Sequence, residues 1–89
     1  ALRVQGDSMV GAGILNGDYV IVREQNFVED NAIGVAIVDE EATVKRIRIR
    51  DAEAHLIAEN PRYAPVIVDL ANTPFRIGGK VVGVHRLLG

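Results

Sequence analysis

Near its middle the chain carries a stretch whose side chains alternate in character, Ala42-Thr43-Val44-Lys45-Arg46-Ile47-Arg48-Ile49-Arg50. Alternation with a period of two, from Thr43 onward, is the pattern of a β-strand with two different faces. One face carries Val44 and the three arginines, and we expect water to cover it. The other carries Thr43, Lys45 and the two isoleucines. A lysine on this more apolar face is the unusual feature of the strand.

The position of Lys45 allows two interpretations. Its aliphatic stem can pack against Ile47 while the ammonium group reaches water. Alternatively, the loss of water around the amine disfavours its charged form, lowers its pKa and makes it a general base. The preceding turn, Asp39-Glu40-Glu41, decides which face receives the lysine, because a slip of one residue in register would turn Lys45 to the arginine face.

Short apolar segments separated by turn residues fill the rest of the chain. Gly34, inside one of these segments, predicts a bulge or a close approach of two backbones. Residues 9–15 predict a turn or a single helical loop, with Met9 anchored in the core. We find no helix of ten or more residues, so the pattern predicts an all-β domain of strongly twisted antiparallel sheets. The predicted strands are Leu2–Val4, Tyr19–Arg23, Ile33–Val38, Thr43–Arg50, Ala54–Ile57, Val66–Val68 and Lys80–Leu88.

A short polar turn, Gly6-Asp7-Ser8-Met9, follows the first predicted strand. The glycine allows a sharp change of direction that presents the Ser8 hydroxyl at the edge of an element. Taken alone this is ordinary turn chemistry. A serine hydroxyl is a weak nucleophile that needs a base within hydrogen-bond reach, and a lysine can be that base. Ser8 and Lys45 lie 37 positions apart, so only the fold can bring them together.

Length and composition narrow the classes of protein. The 89 residues predict one domain, residues 1–89, that can form a core without disulfides or metals. Without cysteine, disulfides, zinc–thiolate sites and a cysteine nucleophile are excluded, in agreement with a reducing cytoplasm. A formal net charge of −2 argues against binding of the nucleic-acid backbone by this chain alone. No apolar run approaches the roughly 20 residues of a membrane span, so we expect no membrane partner. We also expect no cofactor.

Other polar side chains offer alternative sites. A Ser-His-Asp triad would need His55 or His85 near Ser8, but both stand alone in their strands, and we interpret them as surface or half-buried residues. The carboxylates of residues 39–41 are interpreted as a solvated turn instead of a metal site. The three arginines after Val44 could form a nucleic-acid stripe. Net acidity and the lack of interleaved aromatics favour a solvated strand face instead.

Five motifs of the chain resemble, in order, the carboxy-terminal peptidase domain of the LexA family. They cover nearly the whole chain, with that family's separation between serine and lysine. The motifs are Gly6-Asp7-Ser8-Met9, Gly13-Ile14-Leu15-Asn16-Gly17-Asp18-Tyr19-Val20, Ala42-Thr43-Val44-Lys45-Arg46, Glu59-Asn60-Pro61 with Pro65-Val66-Ile67-Val68, and Gly79-Lys80-Val81-Val82-Gly83-Val84.

The resemblance implies a self-cleaving catalytic dyad formed by Ser8 and Lys45. Backbone amides around Ser8, at Met9 among others, would stabilise the oxyanion, and the Thr43 hydroxyl would orient the lysine amine. The implied fold consists of coiled β-sheets with a barrel-like portion, as in the more distantly related signal peptidases.

The same resemblance implies the latent peptidase domain of an SOS-response repressor in the bacterial cytoplasm. Activated RecA filament would promote cleavage of the protein's own Ala-Gly bond, upstream of Ser8, and release DNA-repair genes from repression. We expect the scissile segment and the DNA-binding domain to lie outside these residues. DNA would be contacted only through that DNA-binding domain.

Partner and alternative functions are also expectations at this point. The strand Lys80–Leu88 carries aliphatic side chains on both faces. It can be a central strand covered on both sides within one chain, or its end can pair with a second copy across a two-fold axis. The resemblance favours the second interpretation, a homodimer formed through the carboxy-terminal strand. One alternative is a UmuD-like accessory protein of a translesion polymerase with the same dyad. A second is a catalytically silent β-module used for dimerisation or partner docking.

Overall fold

The computed structural model describes residues 1–88 and contains seven strands. Their bounds are β1 (Leu2–Arg3), β2 (Tyr19–Arg23), β3 (Ile33–Val38), β4 (Glu41–Arg50), β5 (Glu53–Ile57), β6 (Val66–Asp69) and β7 (Phe75–His85). They form one antiparallel sheet in the order β1-β2-β7-β3-β4-β5-β6, strongly curled into a half-barrel. The all-β prediction is confirmed. Within residues 1–88 the only helical segment is the short 3-10 helix Val10–Ala12, and none of the described helices has the length and apolar character to cross a bilayer.

The β3–β4 hairpin fixes the register of the lysine strand. Asp39 and Glu40 both have positive φ, 48° and 68°. Positive φ at both residues is what a two-residue hairpin turn needs for its backbone twist to match that of the flanking strands. The turn pairs Gly34 with Lys45 and Ala36 with Thr43. Glu41, predicted as part of the turn, is the first residue of β4 because it already pairs with Val38.

The last strand differs from the prediction at both ends. The sequence predicted a strand over Lys80–Leu88, but β7 begins at Phe75, includes Gly78 and Gly79, and ends at His85. Its first half pairs with β3 and its second half with β2, and the change of partner falls at Lys80. A Cβ at Gly79 would lie 2.5 Å from the Arg23 carbonyl oxygen. The glycine therefore permits two backbones to approach at the crossing instead of ending the strand.

Two hydrophobic clusters lie on opposite faces of the central strands. Val44 belongs to the first and Ile47 to the second, although both lie on β4. The expectation of a water-covered arginine face is therefore wrong at Val44, which is only 7% exposed, because β1 and the serine turn cover that end of the sheet. The first cluster comprises Val4, Met9, Ile14, Val20, Val35 and Val44, and the second Ala36, Ile47, Ala54, Leu56 and Val68.

Candidate active site

The serine turn is held by its own backbone and by one buried side chain. Gly6 has a φ of 86°, and its N–H donates to Asn16 Oδ1 at 2.8 Å. Met9 is 1% exposed, which confirms that it anchors the loop in the core. Its carbonyl accepts hydrogen bonds from the N–H groups of Ala12 and Ile14, at 3.0 and 3.3 Å. Ser8 is consequently presented, half-buried, on a rigid turn.

Lys45 reaches this turn from β4. Its Nζ lies 3.0 Å from Ser8 Oγ, so the two side chains that the sequence singled out are in contact. The same nitrogen donates to Thr43 Oγ1 at 2.9 Å and to the Val44 carbonyl at 3.2 Å. Thr43 and Lys45 point to one side because they are two positions apart on a strand. The amine is therefore surrounded by three oxygens in fixed positions.

The environment of Lys45 shifts its protonation equilibrium toward the neutral form. Burial lowers the pKa of the Lys45 ammonium below its ordinary value of 10.5, because desolvation destabilises a charged amine. The three oxygens that contact Nζ are hydroxyl and carbonyl oxygens without formal charge. No ion pair to a carboxylate is formed by Lys45 within residues 1–88. Desolvation is thus not offset by a fixed negative charge.

The surface around the pair offers both space and hydrogen-bond donors. A cavity of about 410 Å³ is lined by Ser8, Thr43 and Lys45 together with residues 2–5 and 41–42. A larger cavity, of about 940 Å³, shares Leu2 and Ala42 with it. Within the described chain the backbone N–H groups of Ser8 and Met9 donate to no protein acceptor. The pair therefore faces an open cleft with two free amide donors beside it.

The alternative sites do not converge on Ser8. His55 lies on β5 with Nε2 3.3 Å from Glu53 Oε1, and His85 pairs with Tyr19 at the far end of β7. Each arginine of β4 contacts another side chain. Arg46 forms an ion pair with Glu59 and Arg50 one with Asp30, and Arg48 donates a hydrogen bond to Asn31. Across residues 1–88 there is no group of three or more His, Asp or Glu side chains placed to hold a metal ion.

Sequence reasoning missed the contacts that fix the serine turn from outside. The turn after β5, residues 59–63, hydrogen-bonds to it through Asn60 Nδ2 and the Asp7 carbonyl at 3.0 Å. Only the Glu59-Asn60-Pro61 motif, read as part of the resemblance, drew attention to this segment.

A second missed contact lies near the other end of the chain. Arg86 donates to both carboxylate oxygens of Asp18, at 2.7 and 2.6 Å, and to the Gly13 carbonyl at 3.0 Å. The hydrogen bonds from Arg86 to the carboxylate, with one from the Leu15 N–H, lower the pKa of Asp18 to about 2. The signal available in the sequence was an aspartate directly before the apolar run of β2.

A serine beside a desolvated lysine, on a curled antiparallel sheet, points to the class of serine peptidases that use a Ser–Lys pair, a class recognised by geometry. The comparison with protein families agrees with this class. The chain belongs to the peptidase S24-like family, whose description matches residues 1–82.

Several similar proteins are named LexA repressor. The chain is 52% identical over 91 residues to the LexA repressor of Anaeromyxobacter sp. (strain Fw109-5), covering 99% of this chain and 38% of that protein. It is 49% identical over 87 residues to the LexA repressor of Oleidesulfovibrio alaskensis, covering 98% and 42%. The LexA repressor of Alteromonas mediterranea is 49% identical over 85 residues, covering 96% and 41%. The chain thus spans about two fifths of the length of these relatives.

Proposed function

We propose that this chain is the autocatalytic serine peptidase part of a LexA-type repressor, with Ser8 as nucleophile and Lys45 as general base. The observation that carries the proposal is the 3.0 Å contact between Ser8 Oγ and Lys45 Nζ, at an amine whose pKa burial lowers. A base with this pKa is neutral in a larger fraction of molecules near neutral pH than an exposed lysine would be.

The three oxygens around Nζ suit both protonation states. An ammonium has three protons to donate, one for each oxygen. After loss of a proton, two N–H groups remain on Thr43 Oγ1 and the Val44 carbonyl, and the lone pair points to Ser8. Ser8 O–H then donates to Nζ. Thr43 orients the base in this scheme without taking a proton itself.

Catalysis follows from this arrangement. Ser8 Oγ bonds to the carbon of the scissile carbonyl while its proton passes to Lys45 Nζ. The N–H groups of Ser8 and Met9, which have no acceptor among the described residues, would stabilise the oxyanion. As the C–N bond breaks, Lys45 returns the proton to the leaving amine. Water then hydrolyses the acyl-enzyme with Lys45 again acting as base, which regenerates Ser8.

The substrate and the biological role extend the proposal. The relatives are repressors by name, and the chain spans about two fifths of their length. We infer that the scissile Ala-Gly bond and the DNA-binding domain belong to the remaining part, and that RecA filament promotes cleavage in the bacterial cytoplasm during the SOS response to DNA damage. Cleavage would separate this part from the DNA-binding domain and derepress DNA-repair genes. The cavity lined by Ser8 shares Leu2 and Ala42 with the larger cavity, and together the two would give an extended segment room to bind.

A homodimer through the carboxy-terminal strand is part of the proposed function. Residues 81–85 of β7 pair with β2 on one side, and within residues 1–88 no strand pairs with them on the other. Tyr19, Ile21, Val82 and Val84 are all between 38% and 48% exposed at this end of the sheet. An open edge beside apolar side chains favours pairing with a second copy across a two-fold axis.

Cleavage in trans tests the peptidase proposal. A peptide containing an Ala-Gly bond, incubated with the chain at alkaline pH, should be cut at that bond, and Ser8→Ala should abolish the cut. A longer version that includes the upstream segment should cut itself under the same conditions. Equal rates for the Ser8→Ala variant and the unchanged chain would support the silent β-module instead. A UmuD-like protein would cleave itself but carry no DNA-binding domain upstream.

A further inference from the structure

The serine turn is fastened to a distant segment of the chain, the 59–63 turn. Asn60 Nδ2 donates to the Asp7 carbonyl at 3.0 Å, and the Gly11 N–H donates to the Glu59 carbonyl at 2.7 Å. The Tyr63 hydroxyl donates to Asp7 Oδ1. Three hydrogen bonds thus join two segments about 50 residues apart, two of them at Asp7, directly before Ser8, and one at Gly11, after it.

Asn60 is itself oriented by a second hydrogen bond. Its Oδ1 accepts from the Arg62 N–H at 3.0 Å. Because the carbonyl end of the side chain is used there, the amino end is the one that faces the Asp7 carbonyl. The side chain is half-buried, so water competes only partly for this contact.

Fixing the Asp7 carbonyl also fixes the direction of the Ser8 N–H. The two groups belong to one planar peptide bond, and in a trans peptide they point in opposite directions. No cis peptide occurs within residues 1–88. With its carbonyl turned to Asn60, the peptide group directs the Ser8 N–H away from the 59–63 turn. That N–H has no acceptor among the described residues.

The approach of the two turns is close and is tied to the lysine strand as well. A Cβ at Gly11 would lie 2.6 Å from the Glu59 carbonyl oxygen, so a larger residue does not fit there. Glu59 also forms an ion pair with Arg46, the residue after Lys45 on β4. The same short segment therefore contacts the elements that supply both Ser8 and Lys45.

We propose that Asn60 is a positioning residue for Ser8: it holds the Asp7–Ser8 peptide group so that the Ser8 N–H remains a free donor for the substrate carbonyl. This proposal rests on the proposed peptidase function and deepens it. Asn60 does not touch Lys45, whose hydrogen bonds go to Ser8, Thr43 and Val44. The loss of Asn60 should therefore slow the chemical step without changing the pH at which the lysine titrates.

Three variants of the full 89-residue chain separate this role from a merely structural one. Asn60→Ala removes both hydrogen bonds of the side chain. Asn60→Asp keeps the acceptor for the Arg62 N–H but has no N–H to offer the Asp7 carbonyl. Asn72→Ala is the matched control, because Asn72 also donates a side-chain hydrogen bond, to Asp69 Oδ2 at 2.6 Å, on an exposed loop.

The assay is Ser8-dependent cleavage of the Ala-Gly peptide, followed to the alkaline plateau, where Lys45 is neutral in every variant. Misplacement of a reacting group by about 1 Å costs about a hundredfold in rate, so we expect kcat to fall about tenfold to a hundredfold in both Asn60 variants. KM and, for Asn60→Ala, the midpoint of the pH profile should stay unchanged. Asn72→Ala should match the unchanged chain.

The outcomes separate the positioning role of Asn60 from the proposed peptidase function. If Asn60→Ala and Asn60→Asp retain the plateau kcat of the unchanged chain, the positioning role is wrong and the peptidase function stands. If Asn60→Asp is fully active while Asn60→Ala is slow, the bond to Arg62 is the one that matters, and the proposal is again wrong. If the unchanged chain shows no Ser8-dependent cleavage, the proposed function fails and this inference fails with it.

Discussion

Replacing Met9 by alanine should destabilise the protein more than a substitution at any neighbouring position of the serine turn. Met9 is 1% exposed and packs in the first cluster with Val20 and Val44. Truncating a buried methionine to alanine costs about 2–5 kcal/mol, because transfer free energy is lost and a cavity remains. At about 4–8 °C per kcal/mol for a domain of this size, the corresponding fall in Tm is roughly 8–40 °C.

Urea denaturation of the Met9→Ala variant measures this loss. Two controls bracket the result. Met9→Leu, which conserves volume, should cost less than about 1.5 kcal/mol. Val10→Ala changes the next residue, which is 38% exposed, and should cost less than about 1 kcal/mol. A loss of less than about 1 kcal/mol for Met9→Ala, with an unchanged denaturant slope, would refute the claim that Met9 anchors the serine turn.

Three further predictions follow from single contacts. Gly11→Ala should lower the free energy of unfolding by about 1–3 kcal/mol, measured in urea, because the new methyl group would overlap the Glu59 carbonyl oxygen. The Asp18 carboxylate, with its pKa lowered from 3.8 to about 2, stabilises the fold above pH 3.8, and this contribution is lost as pH falls toward 2. Arg86→Ala should therefore move acid unfolding, followed by circular dichroism, to higher pH. Val84→Asp should shift sedimentation at micromolar concentration to the monomer; a monomeric unchanged chain would contradict the dimer.

The parts of the fold that follow from local pattern were predictable from the sequence. Apolar runs bounded by turn residues predicted the strands Tyr19–Arg23 and Ile33–Val38 with the bounds that the structure has. Period-two alternation placed Lys45 on the same face as Thr43, where the structure has a hydrogen bond. These predictions succeed because strand period and hairpin register are set by neighbouring residues.

The parts that depend on distant contacts were not predictable in this way. The approach of Ser8 to Lys45 could be expected only from the family resemblance, because spacing alone does not bring the two together. The last strand was predicted to begin at Lys80, although Gly79 lies inside β7, where it permits the close approach of the β2 backbone. The contact of Asn60 with Asp7 joins residues 53 positions apart. No periodic pattern in the sequence predicts such a contact.

The central claim is that Lys45 is the base that activates Ser8, and one titration tests it most directly. NMR of the chain with labelled lysine gives the pKa of Lys45, and labelling of Ser8 by a fluorophosphonate gives the rate of nucleophilic attack in the same samples. We predict a Lys45 pKa below 10.5, in the direction that burial imposes. The labelling rate should rise with pH at the same midpoint and vanish in Lys45→Arg. A Lys45 pKa at or above 10.5, or labelling of Ser8 that is independent of pH, would contradict the account.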